Sequence, residues 1–453
     1  MAGPRGRAGC HGAGCDHRAY RLSAADPGRH TPAGRSDGLD ERPSADDHRW
    51  GRRGIRAPCG RDQCGRCAEA PTLARGVGDS EVVAGGFVVG TYLFALAVSP
   101  IVTATAPHDQ LTERTIATAG RVVVFVDPVP SAQSVARLRS NPLVTGMAAM
   151  TTALLCQLKT GDHVVAARAA FGSCRWLTDN LLPKFGIETT TIDARDNDAW
   201  KAAIRPNTKV FFFETPANPT MDIVDLAYVC GLARENGITS VVDNAFATSA
   251  LQRPLEFGAD VVAYSATKMM DGQGRVLAGA VCGSQAFIDE VLLPFQRNTG
   301  PNLSPFNAWV ILKALETLDL RARRQSENAL IVGKFLECRV PKMLHPGLPS
   351  HPQHNLAMRQ MSACGPIFSF ILDGGRKQAM ALLNAIELID ISNNIGDSRS
   401  LMTHPSSTTH SGLSEDVRAD MGVEEGMLRI NIGLEDPADL IDDLDQALKV
   451  VGL

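Results

Sequence analysis

Between residues 163 and 264 the chain alternates short β-rich runs with longer helical ones, and few folds accommodate that alternation. Strand-like stretches fall at 163–167, 188–193, 209–213, 239–242 and 261–264, and several read as strands buried on both faces. Helical patterning fills the intervals at 174–185, 198–204 and 226–236, the last closed by Gly237 in the usual capping position. Strands separated by helices call for a parallel sheet with right-handed crossovers, an α/β fold. Ligands of open α/β sheets bind outside the carboxyl ends of the strands. The residues that follow each strand are therefore where chemistry is to be sought.

The run 261–264 breaks into Ser265-Ala266-Thr267-Lys268 and then a loop punctuated by Gly272, Gly274 and Gly279. This puts two hydroxyls and one amine at a strand end. A lysine there is ordinarily a solvated surface residue. Burial or a nearby cation lowers its pKa and frees its amine as a nucleophile. Strand 163–167 runs into a loop bearing Phe171, by default a core residue but in a cleft able to stack on a flat ring. Pro216 and Pro219 stiffen the loop that presents Asn218. Asp243 closes the strand at 239–242. Upstream, Thr145-Gly146-Met147 opens a helix-forming run to about residue 158, and the N–H groups of such a start suit a phosphate.

One ligand meets all these demands. A phosphate takes the amides of Gly146 and Met147 and the hydroxyls of Ser265 and Thr267. A flat ring lies against Phe171 near Asn218, a protonated ring nitrogen needs the carboxylate of Asp243, and an aldehyde needs the amine of Lys268. These are the requirements of pyridoxal 5′-phosphate, with Lys268 as the catalytic residue.

From about residue 141 to the end, the chain resembles the cysteine/methionine-metabolism family of fold-type I pyridoxal-phosphate enzymes. The resemblance rests on Phe171-Gly172-Ser173-Cys174, Glu214-Thr215-Pro216-Ala217-Asn218-Pro219, Val242-Asp243-Asn244 and Ser265-Ala266-Thr267-Lys268, in that order. The loop Asp271-Gly272-Gln273-Gly274-Arg275-Val276-Leu277 is similar to that of the O-succinylhomoserine sulfhydrylase branch. Synthases and lyases of the family usually carry a Gly-His-Ser-Asp type loop there. Phe171 stands where many relatives place a tyrosine, which keeps the stacking but removes a phenol and leaves Lys268 to carry protons.

The resemblance implies a large domain over 141–320, with a mostly parallel seven-stranded sheet sandwiched by helices, and a smaller carboxy-terminal α/β domain over 321–453. Patterning in the second part predicts one long helix over 307–337, strands at 366–372 and 427–434, and helices at 377–389 and 439–450. The loop Ser392-Asn393-Asn394-Ile395-Gly396 and the segment around Arg429 match the family's substrate-carboxylate region. Arg429 would clamp an α-carboxylate bidentately, with Asn394 beside it. The implied activity is γ-replacement: O-succinylhomoserine and sulfide give homocysteine and succinate, a step of methionine biosynthesis, in a cytoplasmic homotetramer built as a dimer of dimers. O-acetylhomoserine as donor and cysteine as nucleophile, the cystathionine γ-synthase reaction, are the alternatives within this chemistry. A protein that keeps the fold without the cofactor, tethered to a membrane or not, is the non-enzyme alternative. Family members also carry a Tyr-x-Arg that reaches the phosphate of the neighbouring subunit. Here residues 136–143 match it weakly and without the tyrosine, leaving Arg137 or Arg139 as partial substitutes.

The amino-terminal part reads differently. No lysine precedes Lys159, and the first 75 residues are crowded with Arg, Gly, Pro, Ala and Cys. Residues 1–80 carry no sustained apolar period and are expected to be disordered. Arginine without lysine is what a GC-rich gene gives when read out of frame, so most of residues 1–140 is expected not to be evolved sequence. Cys59, Cys64 and Cys67, with Cys10, His11, Cys15 and His17, lack the spacing of paired zinc knuckles, and no metal is expected. Asp37, Asp40, Glu41, Asp46 and Asp47 argue against a transit peptide. The uncharged run 82–106 is long enough to span a bilayer, but Gly85, Gly86, Gly90 and Pro100 argue against a span, and 81–140 as a whole is left without an assigned fold. A net charge of −4 gives no argument for a nucleic-acid partner. The six cysteines from Cys156 onward read as reduced thiols.

Overall fold

The computed structural model describes residues 138–453 and two strands upstream of them, β1 (Thr115–Thr118) and β2 (Arg121–Val124). The expectations for residues 1–80, the early cysteine and histidine group, the run 82–106 and Arg137 lie outside the described residues.

The strands continue as β3 (Leu138–Leu143), β4 (His163–Ala167), β5 (Glu188–Ile192), β6 (Thr208–Glu214), β7 (Thr239–Asp243), β8 (Val261–Tyr264) and β9 (Gly279–Ser284). They form one sheet in the order β1-β2-β3-β9-β8-β7-β6-β4-β5. Within it β8, β7, β6, β4 and β5 are parallel neighbours, while β9, β3, β2 and β1 add on antiparallel. The seven strands expected are β3 to β9. The β1–β2 hairpin, from a stretch to which the sequence assigned no fold, widens the sheet to nine.

Alternation along the parallel strands feeds two cores. Val165, Phe211, Phe213, Val242 and Val262 point to one side, where Trp200, Leu226 and Val229 meet them. Val164, Val210, Phe212, Val241 and Val261 point to the other, where helix α1 (Gly146–Leu155) packs with Met150, Ala153 and Leu154. Burial on both faces is why these strands read as nearly unbroken apolar runs.

A second sheet takes the order β10-β11-β14-β13-β12: β10 (Lys342–Leu344), β11 (Ile367–Ile371), β12 (Asp390–Ile391), β13 (Leu401–Thr403) and β14 (Met427–Asn431). Its core joins Phe368, Phe370, Leu428 and Ile430 to Leu382, Leu440 and Leu444 of flanking helices.

The single helix expected over 307–337 is two, α2 (Pro305–Leu315) and α3 (Leu318–Glu337). The break falls at Thr317, whose backbone leaves helical geometry at φ −116°, ψ 5°. A buried arginine spans the break: Arg321 donates to the oxygens of Ala314 (3.0 Å), Met269 (2.9 Å) and Met270 (3.3 Å), while its Nε donates to Thr317 Oγ1 (3.1 Å). Apolar spacing at Ala308, Ile311, Leu315 and Leu318 continues across the break and conceals it. Among the described residues no helix is long and apolar enough to cross a membrane. The six described cysteines are unpaired.

Candidate active site

Because β8, β7, β6 and β4 are adjacent, the loops after them are neighbours along one rim. Those loops carry Ser265 to Lys268, Asp243, Asn218 and Phe171 in turn. The second sheet completes the site with Arg429, on β14, and Asn394, in the loop between β12 and β13. Two sets of residues far apart in sequence therefore meet.

Lys268 is the meeting point. Its Nζ donates to Asn394 Oδ1 at 2.6 Å. Burial, and then the nearby Arg429 guanidinium, lower its pKa to about 8. Desolvation and a neighbouring cation both disfavour the ammonium, so a substantial neutral fraction exists near neutral pH. Gly396 explains how the loop comes so near: at φ 72° it lies against the Lys268–Met269 peptide, and a Cβ there would meet that backbone.

Asp243 is 4% exposed. Its Oδ1 accepts the Ala245 N–H at 3.0 Å, and its Oδ2 receives the Cys174 thiol at 3.8 Å. Burial raises its pKa to about 7. Beside it in register stands Glu214, also buried, on β6. Burial and then Asp243 push the Glu214 carboxyl well above the ordinary carboxylate range, against the smaller downward pull of the main-chain N–H groups of Phe171 and Asn218 and of the charge of Arg429. The Phe171 N–H reaches Glu214 Oε2 at 2.7 Å. The thiol of Cys174 is driven up by burial and by both carboxylates, so it is a donor here and not a thiolate.

Arg429 is held in place with donors to spare. Its Nη1 donates to Asn218 Oδ1 at 2.9 Å, and its Nη2 to the carbonyls of Asn393 (2.8 Å) and Asn394 (3.4 Å). Burial lowers its pKa to about 10, which still leaves it cationic. A buried cation held by neutral oxygens is a receptor for an anionic group.

At the opposite end, Thr145 caps α1 by accepting the Ala148 N–H at 3.0 Å, so Gly146 and Met147 open the helix. Gly146 touches Ser265 so closely that a Cβ would fall on its side chain. The Thr267 hydroxyl is engaged locally, donating to the Ala278 carbonyl (3.1 Å) and accepting the Ala278 N–H (3.0 Å). The 271–277 loop is clasped by Asp271, which takes the Arg275 N–H (2.6 Å) and Nε–H (3.0 Å).

These residues fit pyridoxal 5′-phosphate. A buried carboxylate with no ion pair among the described residues suits a ring nitrogen, a part-neutral amine suits an aldehyde, and a helix start pressed on a serine suits a phosphate. His404 and His410 sit in the loop after β13. His404 donates Nε2–H to the Glu425 carbonyl and accepts the Ser407 hydroxyl at Nδ1, both at 2.8 Å. Among the described residues no cluster could hold a metal. Glu214 is the site residue to which the sequence reading gave no role. Its signal was a charge ending the apolar run Val210 to Phe213, in the same position relative to its strand as Asp243.

Comparison with known proteins points to the same cofactor. A sequence profile described as Cys/Met metabolism PLP-dependent enzyme matches residues 138–449. The chain is 46% identical over 310 residues to the O-succinylhomoserine sulfhydrylase of Mycobacterium tuberculosis, covering 67% of this chain and 76% of that one. It is 40% identical over 309 residues to the L-methionine gamma-lyase of Treponema denticola, covering 67% and 77%. Among solved structures it resembles a putative O-acetylhomoserine (thiol)-lyase of Campylobacter jejuni that contains N′-pyridoxyl-lysine-5′-monophosphate. The TM-score is 0.66 and the identity 31%, over 69% of this chain and 82% of that one.

Proposed function

As the chain belongs to the Cys/Met-metabolism family of PLP-dependent enzymes, we propose that it catalyses γ-replacement on an activated homoserine, taking O-succinylhomoserine and sulfide to homocysteine and succinate. The observation that carries this reading is the convergence of the Lys268 amine, the Asp243 carboxylate and the Arg429 guanidinium on one rim. The 271–277 loop and the Mycobacterium relative support the succinyl donor.

When bound, pyridoxal 5′-phosphate supplies the electron sink that lets the substrate lose its α- and β-protons. Gly146, Met147, Ser265 and Thr267 would hold its phosphate, the last after turning from Ala278. Phe171 and Asn218 would flank its ring, and Asp243 would keep the ring nitrogen protonated. Arg429 grips the substrate α-carboxylate with its fork, with Asn394 beside it, and so fixes Cα against Lys268. Nζ of Lys268 takes the α-proton and then moves a proton at Cβ. The Cγ–O bond breaks, succinate leaves, and a Cγ–S bond forms. One proton of hydrogen sulfide stays on the product thiol and the other leaves with the acid.

Assays of both the succinyl and acetyl esters against sulfide and cysteine test the assignment. The highest kcat/KM is expected for the succinyl ester with sulfide, and a clear preference for the acetyl ester or for cysteine overturns it. Borohydride trapping of the cofactor followed by peptide mapping should locate it on Lys268. A second reading, γ-elimination of methionine, is favoured by the Treponema relative. Release of a volatile thiol from methionine without sulfide would select it. The reading includes a cytoplasmic homotetramer. Light scattering tests that assembly.

A further inference from the structure

We propose that Glu214 is a positioning residue of this site. Its buried carboxyl ties the Phe171 loop to the Asn218 loop, and the Asn218 loop so fixed holds Arg429 in line for a substrate carboxylate. The proposal rests on the reading of Arg429 given above.

Three observations carry it. Glu214 ends β6 at 3% exposure, where nothing about an apolar strand calls for a charge. Its Oε2 accepts the Phe171 N–H at 2.7 Å, and the Asn218 N–H faces the same carboxyl. Asn218 in turn offers Oδ1 to Arg429 Nη1 at 2.9 Å. Asn218 thus joins the two: its main-chain N–H meets Glu214 and its side-chain oxygen meets Arg429. Among the described residues Glu214 and Arg429 form no direct ion pair, so the guanidinium keeps its remaining donors for other partners. Burial and Asp243 hold the Glu214 carboxyl well above the ordinary range, so what it offers the two loops is an acceptor oxygen, which glutamine supplies as well and leucine does not.

That difference defines the experiment on the full chain. Glu214→Leu removes the acceptor, and Glu214→Gln keeps it. Hydrogen exchange at Phe171, followed by mass spectrometry with and without pyridoxal phosphate, is expected to accelerate at least tenfold in E214L and to stay near wild type in E214Q. In the loaded enzyme, E214L is expected to raise KM for the amino-acid ester several-fold, while E214Q restores it to near wild type. The E214L effect should be largely absent in an R429K background, since the two residues act as one unit. Unchanged Phe171 exchange in E214L overturns the clamp, and effects of E214L and R429K on KM that simply multiply overturn the link to Arg429. Should E214L not fold, Glu214→Met, which also removes the acceptor, takes its place in both measurements. Should R429K alone leave KM unmoved, the Arg429 reading fails, while the exchange result stands or falls by itself.

Discussion

Lys268 acquires its chemistry from two neighbours that lie more than a hundred residues away. Burial is the larger cause of its lowered pKa and Arg429 the second. Replacing Arg429 by leucine removes a cation that disfavours the ammonium, so the Lys268 pKa should rise from about 8, though not back to 10.5, because burial remains. The pH dependence of Lys268 labelling by an amine reagent in the cofactor-free protein measures this, and a midpoint that stays or falls contradicts it. The position of Lys268 was readable from the strand end it follows, and so was that of Asp243. Their altered proton affinities were not, since these come from burial among groups contributed by other elements. Glu214 was readable only as part of a motif, because its partners are main-chain N–H groups of two loops.

At the scale of elements, α1 and the strand ends are matched by contact. Gly146 and Ser265 share a space too small for a β-carbon. Gly146→Ala should destabilise the protein by about 1–3 kcal/mol, the usual cost of overpacking, and weaken pyridoxal-phosphate binding. Adding Ser265→Gly should restore thermal stability while leaving the phosphate short of a hydroxyl. Recovery of neither, measured by thermal melts and cofactor titration, would place the strain elsewhere. The helix over 307–337 teaches a complementary lesson. Its apolar spacing was read correctly, but the break at Thr317 is spanned by Arg321, a buried side chain whose acceptors include Met269 and Met270. A local period cannot report a demand that arises across the fold.

At the scale of the molecule, three histidines are buried uncharged. Burial, the first cause in each, drives His345, His351 and His410 down to about 4. Their folded pKa values lie below the ordinary 6.5, so the unfolded chain takes up protons first as the pH falls. Stability they leave intact at pH 7 is then lost between 6.5 and about 4, roughly 2 kcal/mol per histidine by pH 5. Asp243 acts in the opposite sense in the cofactor-free protein, its pKa being raised, so the test is a difference. His345→Asn, which keeps an acceptor for the Gly347 N–H, should narrow the gap in denaturant stability between pH 7 and pH 5 by about 2 kcal/mol. An unchanged gap would show that His345 does not contribute. The sequence alone determined that the chain builds a largely parallel sheet, and which strand ends carry an amine, a carboxylate and hydroxyls, because strand burial and strand ends leave local, periodic marks. Only the tertiary structure decided that Lys268 meets Asn394 across 126 positions and Arg429 meets Asn218 across 211. Such pairings depend on strand order and on how the second sheet packs against the first, long-range choices that no local pattern records.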